Sequence, residues 1–258
     1  DGSGVCRVGG RAVFVPGAIP GEEWEIKLVK VTATAVYARG ERLIAPSVQR
    51  IEPDCQYYSR CGGCDCRHIN YEEELRFKLG RVNDALHHIG KQQLECTEIL
   101  GSAARDNYRN KGIFAVANCD GAARFGFYQP RSHRLVAIDQ NELSNRAAKS
   151  VVDFINERGI PAYDEENGRG AVRHVFCRRA VNGSDAVVCI VSAKGFGADT
   201  QALVDRLRRD CPELTGIVLN INKTRGNTVL SGDFHTLYGR ADMRDTLCGR
   251  GFDIAPQA

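Results

Sequence analysis

Four thiols and one imidazole fall within fourteen residues, in the run Cys55-Gln56-Tyr57-Tyr58-Ser59-Arg60-Cys61-Gly62-Gly63-Cys64-Asp65-Cys66-Arg67-His68. Cys55, Cys61 and Cys64 are spaced C-x5-C-x2-C, with two glycines between the second and third. Thiolates are the preferred ligands of zinc and of iron–sulfur clusters. Glycine lets the backbone curl until its N–H groups face the sulfurs. Such local density, in a chain with no sign of a disulfide framework, favours a metal over buried thiols beside a turn. With His68 added, the same run also makes a Cys₃His zinc set of acceptable spacing.

The rest of the composition narrows the class. The chain has 258 residues, 43% of them hydrophobic and 26% charged. That is room for about two domains with their own cores, and it excludes a disordered chain. No run of eighteen or more apolar residues is present, so no bilayer-spanning helix is expected. Asp1-Gly2-Ser3-Gly4 is not a secretory signal and contains no initiator Met, so the chain is expected to be trimmed at its start. Eleven cysteines without a secretory signal point to a reducing cytosol, where thiols bind metal or stay buried. A net charge of +3 permits nucleic-acid binding without arguing for it.

The elements that must position these residues divide near residue 53. Up to there the chain reads as short strands broken by turns: Arg11 to Val15, Trp24 to Val29 and Val31 to Tyr37, separated by Gly-Gly and Pro-Gly steps. Together they suggest a small antiparallel barrel. Lys27, Lys30, Arg39 and Arg42 are candidates for one basic face, and a solvated face without a ligand explains them equally well. Beyond the cysteines, Tyr71, Leu75, Leu79, Val82, Leu86 and Ile89 recur at helical steps. Asn70 and Glu73 form a capping box at the start, and Gly90 stands as C-cap. This apolar stripe must pack on something, either its own core or another domain. Strands follow at Gly112–Ala117 and Arg124–Tyr128 around an Asp120-Gly121 turn, and at Leu135–Ile138, Val172–Arg179, Ala186–Ser192, Gly216–Ile221, Thr228–Leu230 and Thr236–Tyr238. Helices are expected over 142–158 and Thr200–Arg209. Residues 54–258 therefore read as an α+β domain with a mainly antiparallel sheet.

Several motifs, in order, carry a family resemblance. Gly2-Ser3-Gly4-Val5 with Val13-Phe14-Val15-Pro16-Gly17 and Ile19-Pro20-Gly21-Glu22 resembles the TRAM domain, an OB-like RNA-binding barrel. The cysteine run, Tyr71 to Lys78, Tyr108-Arg109-Asn110-Lys111, Gly126-Phe127-Tyr128, Ser132-His133, Arg173-His174-Val175, Leu219-Asn220-Ile221-Asn222 and Thr236-Leu237-Tyr238-Gly239 extend the likeness over the whole chain. The set is similar to the bacterial RNA uracil-5 methyltransferases that join a TRAM domain to an iron–sulfur central domain.

The resemblance implies that Cys55, Cys61 and Cys64 hold a four-iron, four-sulfur cluster. The family's fourth ligand, in Ile-Asp-x-Cys, here reads Ile138-Asp139-Gln140-Asn141, and a neutral amide is a poor iron ligand. Cys66, Cys119, Cys177 or an exogenous group would have to substitute. It further implies that an S-adenosylmethionine-binding domain, with the catalytic Cys and Glu, follows residue 258. No strand–glycine loop–helix of the adenosine-binding kind is found in 1–258, and Cys211 and Cys248 read as structural thiols. No catalytic residue is assigned to this chain. Arg109, Lys111, Arg131 and His133 are candidate RNA contacts, with Phe127 or Tyr128 stacking on unpaired bases unless they are core residues of their strand.

The expected protein is the RNA-recognition part of a cytoplasmic, 23S rRNA-directed uracil-5 methyltransferase, monomeric and without membrane contact, with helix 71–89 docked partly on the catalytic domain. The competing expectations are a transfer-RNA enzyme, a non-enzymatic RNA-binding or redox-sensing module, and a metal-stabilised structural protein.

Overall fold

The computed structural model describes residues 2–139, 142–224 and 228–256, and the chain divides into two compact units, 1–103 and 104–258. In the first, β1 (Ser3–Val8), β2 (Arg11–Pro16), β3 (Glu23–Val31) and β4 (Ala35–Ala45) form a sheet in the order β1-β2-β4-β3. Gly9 and Gly10, at φ 56° and 79°, make the β1–β2 turn that an L side chain would strain. The expected strand Val31 to Tyr37 is instead broken, because the Thr32 hydroxyl and backbone bond to Ala35 and turn β3 into β4. Pairing is antiparallel except between β2 and β4, which run parallel, so the expected purely antiparallel arrangement does not hold. Side chains alternate along β2 and β4, so that Val13, Val15, Val36 and Ala38 form the core of this sheet, whereas Leu28 and Val31 of β3 are exposed.

The cysteine run packs in this first unit, beyond the 53/54 boundary that composition suggested. Arg50 bridges Ile69, Ile51 N–H donates to the His68 carbonyl at 3.0 Å, and Asn70 N–H donates to the Gln49 carbonyl at 2.9 Å. These bonds close the run into a loop stitched to the strand preceding it.

Helix α1 (Tyr71–Asp84) starts where Asn70 Oδ1 accepts from Glu73 N–H at 2.9 Å, and Glu72, Glu73 and Glu74 complement the helix dipole. Only half of the capping box forms, since the Glu73 carboxylate turns to Arg76. The helix widens over Ala85–Ile89, where Gly90 N–H reaches back five residues to Ala85. Gly90 stays right-handed at φ −72°, and Lys91, at 51°, takes the left-handed position expected of the glycine. Glu73 is the only buried residue of α1, while Val82 and Ile89 of the apolar stripe are 49% and 83% exposed.

The second unit is built on a seven-stranded sheet of order β11-β10-β9-β8-β5-β6-β7. Its strands are β5 (Lys111–Cys119), β6 (Ala122–Tyr128), β7 (Leu135–Ala137), β8 (Val172–Arg179), β9 (Ala186–Ser192), β10 (Gly216–Ile221) and β11 (Asp233–Gly239). Asp120 and Gly121, at φ 51° and 85°, turn β5 into β6 as a two-residue hairpin. Only β9 and β10 run parallel, because α3 (Thr200–Asp210) crosses between them. Helix α2 (Leu143–Glu157) packs on β5, β6, β8 and α3, and Gly159, at φ 63°, ends it.

Two details depart from the sequence reading. Thr228–Leu230 is not a strand, and β12 (Met243–Leu247) with β13 (Arg250–Ile254) forms an unanticipated hairpin. Met243 and Ile254 of that hairpin pack with Phe176, Val187, Cys189 and Val218 in the core.

Candidate functional site

The cysteine loop is tied down by turns and by one aromatic side chain. Cys61 N–H donates to the Tyr57 carbonyl at 2.8 Å and Tyr58 N–H to the Cys55 carbonyl at 3.0 Å. Gly63 N–H donates to the Cys61 sulfur at 3.3 Å, the contact that the Gly-Gly step permits. The Tyr58 hydroxyl lies 2.9 Å from the Asp65 carbonyl and 2.5 Å from His68 Nδ1. Burial, with the neighbouring Cys66 thiol, pushes the Tyr58 hydroxyl up to about 12. Burial raises the Cys66 thiol as well, and the acidic side chains of Glu74 and Asp65 add to that.

A polar node next to the loop accounts for His68. Glu22, with a fully buried carboxylate, accepts from Arg50 through both Nε and Nη2, from the Ile19 and Ser47 backbone, and from Trp24 Nε1 at 2.8 Å. Burial alone would raise it, yet these donors, Arg50 foremost, hold Glu22 down to about 2. Arg50 also donates to the Gly17 carbonyl at 2.6 Å and lies over the Trp24 ring. His68 is buried, and burial followed by the Arg50 charge lowers its pKa. His68 places Nδ1 against the Tyr58 hydroxyl, while its buried Nε2 has no hydrogen-bond partner among the described residues.

The thiols are of the type that suits a soft metal. Cys55 and Cys61 are half-exposed, Cys64 is exposed, and none is disulfide-bonded. Among the described residues no three Cys, His, Asp or Glu side chains stand together so as to hold a metal ion. Asn141, at the family's fourth ligand position, lies outside the described residues. Of the offered substitutes, Cys177 is buried in the second unit with its thiol pushed up to about 12 by burial, an inert setting for a ligand.

The candidate RNA contacts fall in the second unit. By register the start of β5 and the end of β6 share one end of the sheet, which places Arg109, Lys111, Arg131 and His133 there, all exposed. Arg131, at φ 58°, and His133 sit in the tight 129–134 turn closed by Gln129 N–H to the Arg134 carbonyl. Tyr128 meets His133 edge-on at 5.5 Å. Phe127 packs against Phe114 with centroids 5.4 Å apart and is half-buried, so it serves its strand's core more than a ligand.

Sequence reasoning missed the residues that surround this turn. Tyr128 and His133 line a cleft of about 240 Å³ together with Tyr163, Asp164, Glu165 and Asn118. Its floor is fixed by Arg173, which is buried and paired with Glu165 through Nη2 at 2.9 and 3.0 Å and through Nε at 3.1 Å. Arg173 also donates to the Asn222 and Thr224 carbonyls at 3.3 and 2.7 Å and lies 4.7 Å from the Tyr163 ring centroid. The neighbouring His174 is held neutral, pushed down to about 4 by burial and then by the Arg173 charge. Arg173 thus orients two backbone carbonyls and a carboxylate. Its sequence signal was the Arg173-His174 step between Val172 and Val175 of β8.

No family model matches the chain. An uncharacterized RNA methyltransferase of Listeria monocytogenes serotype 4b is 33% identical over 262 aligned positions, covering all of this chain and 58% of the relative. Proteins of the same description from Halalkalibacterium halodurans and Caldanaerobacter subterraneus are each 33% identical over 263 and 260 positions. The chain thus spans 57–58% of the length of these relatives. Among solved structures, the Pyrococcus abyssi tRNA (uracil-54, C5)-methyltransferase in complex with S-adenosyl-L-homocysteine superposes with a TM-score of 0.73 at 20% identity, over all of this chain and 60% of that one. No described helix is long and apolar enough to cross a membrane. From end to end, the chain is similar in sequence to part of proteins named RNA methyltransferases, and it shares the fold of part of a solved one.

Proposed function

We propose that the chain is the RNA-recognition part of an S-adenosylmethionine-dependent RNA uracil-5 methyltransferase acting on 23S ribosomal RNA. The single observation that carries this reading is the alignment of relatives named RNA methyltransferases along all 258 residues. The uracil-5 chemistry and the methyl donor are taken from the solved enzyme of the same fold. That chemistry needs a nucleophile at C6, a methyl donor at C5 and a base for the C5 proton, and no residue of 1–258 is given any of these roles.

In this reading residues 1–53 act as an OB-like TRAM barrel and 54–258 as the central recognition domain. Arg109, Lys111 and Arg131 neutralise phosphates of a stem-loop with His133 as a further contact, and Phe127 or Tyr128 stacks on a splayed base. Cys55, Cys61 and Cys64, which do not stand together in the folded chain alone, would draw in around a four-iron, four-sulfur cluster, with Cys66, Cys119, Cys177 or an exogenous group as the fourth ligand. The exposed Val82–Ile89 part of the helical stripe docks on the catalytic domain. The protein works as a cytoplasmic monomer.

The test is nucleoside mass spectrometry of RNA from cells with and without the gene. Loss of one 5-methyluridine from 23S rRNA is expected. Loss from transfer RNA instead would establish the second reading, which the substrate of the solved archaeal enzyme favours. Unchanged 5-methyluridine in both RNAs would overturn the function. Iron and sulfide analysis of anaerobically purified protein tests the cluster; zinc without iron would remove it.

A further inference from the structure

The water-facing side of the four-stranded sheet carries an aromatic pair in a basic surround. Phe14 and Tyr37 are register partners across β2 and β4, and their rings stack with centroids 5.5 Å apart and planes 18° apart. The core residues Val13, Val15, Val36 and Ala38 point the opposite way, so the pair faces outward, and Tyr37 is 44% exposed. Val5, opposite Phe14 on β1, is 61% exposed on the same face. The solvent side of an antiparallel sheet normally carries polar residues, and this patch breaks that pattern.

Cations border the patch on both flanks. Arg7 pairs with Ala12 on the β1 side, while Lys30 pairs with Tyr37 and Lys27 with Arg39 on the β3 side, and all four cations are exposed. The acidic residues of this face lie toward the far end of β3 and β4, where Glu25 holds Arg42 at 2.9 Å and Glu41 holds Arg39 at 3.3 Å. Apolar rings between positive charges suit a ligand that is flat and apolar on its faces and anionic along its length. Nucleotides of an unpaired strand have that character; a paired base cannot offer its face.

We propose that this face is a stacking platform for unpaired bases, with Phe14 and Tyr37 under the bases and Arg7, Lys27 and Lys30 along the phosphates. The inference rests on the RNA-recognition reading and adds where, and in which form, the RNA lies. Stacking is tolerant of base identity, so the platform holds a single-stranded flank and leaves sequence choice to other contacts.

The experiment is fluorescence anisotropy of the 258-residue chain with a labelled single-stranded oligouridylate of roughly ten nucleotides and with a duplex of the same length. Phe14→Leu with Tyr37→Leu keeps apolar volume and removes the rings, and circular dichroism checks that the fold is kept. Single-strand affinity is expected to fall about tenfold or more, from the usual stacking contribution per base, with duplex affinity unchanged. Tyr37→Phe alone is expected to retain it. Lys27→Gln with Lys30→Gln is expected to lower the salt slope by roughly 0.7 per charge removed. Unchanged single-strand affinity in the double leucine variant overturns the platform. If Arg131→Gln with His133→Gln then abolishes binding, the function proposed above survives without it. No binding of any RNA by the wild-type chain at low salt overturns both.

Discussion

β3 and β9 show how differently the two units use apolar residues. β9, Ala186–Ser192, is buried along its whole length between β8 and β10. β3, Glu23–Val31, is an edge strand with Leu28, Val29 and Val31 57%, 69% and 53% exposed. Its pairing with β4 shifts register at three places, and Lys27 and Lys30 stand on its outward side. Bulges and lysines protect an edge from pairing with another chain. The second unit is therefore held by burial, and the first by a small core plus the Glu22–Arg50 node. The lesson is that the apolar residues of a strand say little about stability until the neighbours on each side are known.

The largest test of that contrast is Phe176→Ala, which removes a ring that is 1% exposed in the second unit's core. It should cost about 3–5 kcal/mol in urea unfolding; a cost near zero would mean the core is not packed as described. Arg173→Ala comes next, because it leaves the Glu165 carboxylate and two backbone carbonyls without their donor. A loss of about 3 kcal/mol is expected from breaking a buried pair on one side only, and Arg173→Lys should recover only part of it, since an ammonium cannot make the two-pronged contact.

The first unit should answer to acid. Glu22 titrates below its ordinary value in the folded state, so its contribution is fully present above about 4.5 and is lost as the pH falls toward 2. The amount is on the order of 2 kcal/mol, and Glu22→Gln should flatten the acid limb of an unfolding curve followed through Trp24 fluorescence. His174, in the second unit, works in a different window: its folded pKa is pushed down to about 4, so its stability is present above 6.5 and falls as the pH drops from there toward 4. Separate acid transitions for Trp24 fluorescence and for a probe in the second unit would sharpen the comparison, and coincident ones would break it.

Smaller effects follow at the surface. Asn70→Ala removes the α1 cap and should cost about 1 kcal/mol. Val29→Thr, on the exposed edge, should stay within about 0.5 kcal/mol.

Legibility from sequence followed the same division. Strands with a clear alternating or continuous pattern, such as Gly112–Ala117, Ala186–Ser192 and Gly216–Ile221, lie where their residues suggested, and Asp120-Gly121 makes the turn its chemistry demands. The hairpin β12–β13 was missed because Arg244, Asp245 and Asp253 leave its short strands without a period-two pattern; it forms because Met243 and Ile254 find a core already built. Of the site, the exposed cations were legible as cations, but the cleft beside them was not. Tyr163 and Glu165 lie thirty or more residues from Tyr128 and His133 in sequence, and only the sheet brings them together.

Local chemistry, then, was set by the order of residues: which segments turn, which alternate, where Asn70 starts a helix and where thiols crowd. Those choices depend on backbone sterics and on side chains a few positions apart. Tertiary packing decided the rest. It enclosed Glu22 among five donors, set His68 Nδ1 against the Tyr58 hydroxyl, and left Phe14 and Tyr37 facing water beside exposed cations. Burial, charge and the closing of a pocket depend on residues far apart in the chain, and so only the folded molecule specifies them.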